Sequence, residues 1–170
     1  MEESLIIMQI PIQTSEGTFV AWFSERGLRR LEFPSKRRGR SVAAPRSAPE
    51  LRHARRWGRV TAQALRAILA GRPPRLFPPL DLSAGTTFQQ SVWGLLLEIP
   101  SGQTRAYGEI AAALRNPRAV RAVGGACGAN PVPVLVPCHR VLPQAGGWGG
   151  FSGGLKWKQR LLKGEGFVKR

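Results

Sequence analysis

The ten residues from Val132 to Val141, Val-Pro-Val-Leu-Val-Pro-Cys-His-Arg-Val, constrain this chain more than any others. An apolar, β-branched run of that length reads as a buried strand or a tightly packed extended segment. Pro137 fixes its own φ and disfavours helix at Val136, so Cys138 follows a stiff lead-in. His139 and Arg140 come next. A thiol attacks as thiolate, and protonatable or cationic neighbours favour that form. The arrangement therefore suits a reactive cysteine, although Cys beside His does not by spacing alone single out a nucleophile.

Cysteine and histidine usage narrows the chemistry further. Cys127 and Cys138 are the only cysteines and His53 and His139 the only histidines. Two cysteines make no disulfide framework, and no tetrahedral metal cluster has plausible ligand spacing. We expect no metal and no cofactor. No apolar run approaches the length of a bilayer span, and Met1-Glu2-Glu3-Ser4 lacks the basic start of a signal peptide, so the expected location is cytoplasmic.

Charge points to the partner. Twenty-six Lys and Arg against ten Asp and Glu give a net +16, and both halves of the chain carry the excess. Such a balance favours a polyanion, nucleic acid above all, over a merely soluble basic surface.

The 170 residues divide into an N-terminal part, 1–80, and a C-terminal part, 86–170. Leu5–Thr14, Thr18–Phe23 and Leu28–Phe33 read as strands separated by turns at Gly17 and Gly27, which makes a small antiparallel sheet. The basic stretch 35–49 reads as a loop. Glu50 to Ala70 has Leu51, Ala54, Trp57, Thr61, Ala64, Leu65 and Ile68 at helical spacing, with its arginines mostly off that stripe. Residues 76–85 read as a linker.

The C-terminal part is mostly helical. Thr86 or Thr87 caps a helix through Glu98. Tyr107–Leu114 and Arg118–Ala129 follow as short helices, compatible with a helix-turn-helix. The latter is nearly all small residues, and its glycines each cost roughly 1 kcal/mol against alanine. Two compensations stand level: helix packing inside the protein, or close approach to a DNA groove with Arg121 as the one long side chain. The glycine-rich 144–154 segment, with Trp148 and Phe151, suits either turn packing or a wall for a flat base. A last helix, Leu155–Lys163, should turn Leu155, Leu161 and Leu162 inward.

Pro137-Cys138-His139-Arg140-Val141, with Gly124–Cys127, Asn130–Pro133, Tyr107–Ala111, Phe151–Leu155 and Glu165-Gly166, resembles the O6-alkylguanine-DNA alkyltransferase family over residues 86–166. The resemblance implies an α+β fold in which a small sheet-plus-helix domain precedes a helical DNA-binding domain. It implies that Cys138 accepts the alkyl group, that His139 is the base acting through a water, and that Glu165 orients His139. Tyr107 would press on the target phosphate and Arg121 fill the gap left by a flipped nucleotide. Asn130 would act as a hinge, and Val141 (through its carbonyl), Ser152 and Phe151 would form the base pocket. Phe151 stands where some members have tyrosine. The implied partner is double-stranded DNA carrying O6-alkylguanine, bound through the minor groove by a monomer with no membrane association. Transfer would be stoichiometric and irreversible. A lesion binder of the alkyltransferase-like kind would lack the cysteine, and a plain helix-turn-helix regulator would leave it inert.

Overall fold

The computed structural model describes residues 6–35 and 48–168, which divide into two compact units. The expected 35–49 loop lies almost wholly outside the described residues.

In the first unit, β1 (Ile6–Thr14), β2 (Gly17–Ser24) and β3 (Leu28–Glu32) form an antiparallel sheet in that order. Alternation sets its faces: Phe19, Ala21 and Phe23 of β2 are buried while the residues between them are only partly covered. Helix α1 (Ala48–Leu69) buries Ala54, Thr61, Ala64 and Leu65, the stripe its spacing predicts. Gly58 lets the helix sit close to the sheet, because a Cβ there would lie 2.5 Å from Ile10 Cδ1.

Residues 76–85 are not a bare linker. Leu28 donates its N–H to Pro79 O and accepts from Asp81 N–H, so the segment runs beside β3. Gly27 permits this approach: its φ is +150°, and a Cβ would lie 2.3 Å from Pro79 O. Asp81 is buried and accepts hydrogen bonds from Ser24, Ser83 and Arg29. Burial pushes its carboxyl up, yet the Ser24 and Ser83 bonds and the Arg29 charge hold it below its usual range.

The second unit contains α2 (Thr87–Leu97), β4 (Arg105–Ala106), α3 (Tyr107–Ala113), α4 (Val120–Gly128), β5 (Val141–Leu142) and α5 (Leu155–Gly164). Thr86 caps α2 as expected: its hydroxyl accepts from Gln89 N–H while the Gln89 side chain accepts from Thr86 N–H. Trp93 is buried and donates its Nε1–H to Ala126 O at 2.8 Å, which ties α2 to α4.

Two expectations fail here. The Val132–Val141 run is buried but is not a strand. Val136 N–H returns to Val132 O, Val134 has φ +77°, and Cys138–Arg140 forms a 3-10 turn before β5. Pro133 and Pro137 lack N–H groups, so this run could not ladder along its length. In α5, Leu161 and Leu162 are buried as expected, but Leu155 is 48% exposed and Lys158 turns inward in its place, at 0%. Among the described residues no helix is long and apolar enough to cross a membrane.

Candidate functional site

A short parallel strand pair assembles the site. Arg105 and Ala106 of β4 pair with Val141 and Leu142 of β5. Tyr107 directly follows one strand and Cys138–Arg140 directly precedes the other, so residues about thirty apart in sequence become neighbours.

Asn130, just beyond α4, fixes the lead-in to the thiol. Its side-chain amide donates to Val136 O at 2.8 Å and to Cys138 Sγ at 3.0 Å, while its carbonyl accepts from Val132 N–H. One buried amide thus performs the tethering that ladder bonds cannot. Cys138 is 3% exposed. Burial pushes its thiol up to about 11, against the opposing pull of the Asn130 bond and the Lys158 ammonium. Cationic neighbours therefore do not ionise it at rest; the thiol is neutral at pH 7. Cys127 is likewise free, buried and pushed up to about 12, chiefly by burial.

Glu165 at the end of α5 is the charged anchor. It lies 2.9 Å from His139 Nε2, takes two N–H groups of Arg140, and accepts from Gly102 N–H. Arg140 also donates to Ile99 O. Burial alone would raise Glu165, but the His139 and Arg140 bonds prevail and hold it down to about 2. An ionised carboxylate only accepts, so His139 must carry its proton on Nε2. That leaves Nδ1 as a lone-pair acceptor, and Nδ1 is buried without a hydrogen-bond partner among the described residues. Burial also pulls His139 below its ordinary value, so the ring is neutral at pH 7. The arrangement is a fixed-tautomer base in the same turn as a thiol.

The remaining expected residues divide. Tyr107 is half-buried, its hydroxyl packs at Gly149, and burial with the two nearby thiols pushes it up to about 12. Phe151 meets His139 edge to face at 6.3 Å, supporting the imidazole. Val141 O accepts from Lys158 Nζ at 2.8 Å. Ser152 is exposed, and the structure does not gather it into this network. Arg121 is exposed on α4, on the outer face with Gly125 and Gly128. Among the described residues, a Cβ at either glycine would meet nothing within 4 Å. Packing inside the protein does not account for them.

Sequence reasoning missed Lys158. It is fully buried, bonds Val141 O and Gly150 O, and lies 6.0 Å from the Tyr107 ring centre. It joins the 144–154 loop to β5 and supplies the positive charge near Cys138. Burial lowers its own pKa. The only available signal was its place on the Leu161 face of α5, one turn before that residue.

Residues 87–167 match the family model described as "6-O-methylguanine DNA methyltransferase, DNA binding domain". A probable methylated-DNA–protein-cysteine methyltransferase of Acanthamoeba polyphaga mimivirus is 53% identical over 90 residues, 52% of this chain and 60% of the relative. A methylated-DNA–protein-cysteine methyltransferase of Methanosarcina mazei is 54% identical over 81 residues, 48% of this chain and 51% of the relative. The chain thus spans little more than half the length of these curated relatives. A crystal structure of Mycobacterium tuberculosis OGT in complex with DNA is 37% identical with a TM-score of 0.74, covering 91% of this chain and 90% of that one.

Proposed function

The chain belongs to the O6-alkylguanine-DNA alkyltransferase family, and from that footing we propose that it repairs DNA by moving the alkyl group of an O6-alkylguanine onto Sγ of Cys138. The observation that carries this reading is the Glu165–His139 pair, which leaves a neutral imidazole nitrogen available beside a buried thiol.

Because Cys138 is a neutral thiol at rest, the proton must leave as the sulfur attacks. It passes to His139 Nδ1, directly or through one water, and Glu165 stabilises the imidazolium that results. The sulfur pair forms the S–C bond to the alkyl carbon, and the C–O6 electrons return to guanine. The guanine then takes up a proton through the Tyr107 hydroxyl, which is protonated at neutral pH; the proton held by His139 restores it. The Lys158 charge favours the sulfur as it ionises. The thioether product has no easy return, so each molecule reacts once.

A base inside a duplex cannot reach a buried sulfur, so the nucleotide must swing out, at least cost where the lesion pairs poorly. In this proposal α3 and α4 act as a helix-turn-helix whose small outer residues enter the minor groove, with Arg121 occupying the space the base leaves. Gly125→Leu tests the close approach. Gly125 is exposed and a Cβ there meets no described residue within 4 Å, and leucine improves helix propensity by up to about 1 kcal/mol. Melting temperature should hold or rise while duplex affinity drops at least tenfold; unchanged affinity would refute the groove contact.

The function itself is tested with a duplex carrying labelled O6-methylguanine. Label should move to protein and stop at one equivalent per molecule, on the peptide containing Cys138. Continued turnover, or label elsewhere, would reject the proposal.

A further inference from the structure

The first unit has a feature that the thiol chemistry does not use. A groove of about 590 Å³ runs between β1 and α1, bounded by Ile10 and Ile12 on one side and by Arg55, Gly58, Arg59 and Arg66 on the other. We infer that this groove is a binding site for the phosphodiester backbone of nucleic acid, carried by the first unit alone.

Helical geometry puts the three arginines in one row. Arg59 follows Arg55 by one turn and Arg66 follows Arg59 by two, so all three fall within about 40° of one another and span about 16 Å. That length matches about five nucleotide steps along one strand. Arg66 is preset: Nε and Nη2 both donate to Gln13 O of β1, at 3.2 and 3.0 Å, which holds the guanidinium at the groove wall with further hydrogens to offer. Arg55 and Arg59 are exposed. Among the described residues no carboxylate lines the groove, so nothing there neutralises the row. Arginine suits phosphate because its planar fork can donate twice to one anion.

Of the five α1 arginines, Arg52 and Arg56 lie off the groove and the other three follow its wall, where Gly58 brings α1 close to Ile10, so the row and the sheet edge keep a fixed separation. An acidic polypeptide would satisfy the charge too, but the match of residues 87–167 to a DNA-binding domain makes nucleic acid the polyanion that this chain meets.

The test uses the full chain and an undamaged duplex, so its outcome is independent of whether Cys138 accepts alkyl groups. Affinity is measured between about 50 and 200 mM salt for Arg55→Gln/Arg59→Gln and for Arg26→Gln/Arg75→Gln, a control that removes the same charge from exposed positions off the groove. The groove pair should lower the slope of log affinity against log salt by about 2, near 0.9 per lost phosphate contact, and weaken binding roughly tenfold. The control should change the slope by less than half as much. Equal falls in both pairs would reduce the effect to net charge and overturn the assignment, as would no fall in the groove pair. Tighter binding of polyglutamate than of duplex at equal charge would overturn it in favour of an acidic protein partner.

Discussion

Cys138→Ser should abolish label transfer from O6-methylguanine DNA while leaving duplex affinity within about twofold. A serine hydroxyl can accept the Asn130 N–H as the sulfur does, so the lead-in keeps its tether. What is lost is nucleophilicity, because a hydroxyl is far harder to deprotonate than a thiol that already sits at about 11. The rate should fall by on the order of 10³-fold or more, the scale on which removal of an enzyme nucleophile is felt. Quenched time points resolved by mass on the intact protein measure it. Appreciable transfer by the serine protein would shift the acceptor role to another residue, Cys127 first among them.

Glu165→Gln should do two separable kinds of damage. Its amide can donate to His139 Nε2, which moves the ring proton to Nδ1 and removes the acceptor that the thiol requires. The wrong tautomer costs on the order of 10³- to 10⁴-fold in comparable triads. It also strips Arg140 of its counter-charge, and breaking such a pair on one side destabilises by about 3 kcal/mol or more.

Acid dependence distinguishes the two kinds of damage. The folded carboxyl sits at about 2 against an ordinary 4.5, so its contribution is fully present above pH 4.5 and fades as pH falls toward 2. The wild type should therefore lose about 3 kcal/mol across that window, and the glutamine protein distinctly less. Denaturant midpoints at several pH values would measure it. Parallel acid profiles in both proteins would show that Glu165 is not ionised against Arg140 and His139.

The elements that could be read from the sequence were those whose cause is local. The turn at Gly17 before Thr18–Phe23, the three-and-four spacing of Ala54, Thr61, Ala64 and Leu65, and the Thr86 cap each act within a few residues, and each gives its expected element. Cys138, His139 and Glu165 were found by resemblance; the fold brings the latter two into contact. The misses share a different origin. Lys158 reads as surface because lysine is nearly always exposed, and only the carbonyls of Val141 and Gly150, brought from elsewhere, make its burial tolerable. Leu155, at the first position of α5, falls outside the packed turn and stays exposed. Asp81 in the supposed linker is likewise fixed by Ser24 and Arg29, more than fifty residues away.

Val134 carries a cost of its own. A β-branched residue at φ +77° sits where such side chains are uncomfortable, by about 1–3 kcal/mol. Left to itself the segment would straighten, and the groups that meet the Asn130 amide would part company. The sulfur's coordinates are thus imposed from outside its own stretch of chain: a peptide cut from 132–141, without Asn130, would carry the same thiol and none of its aim.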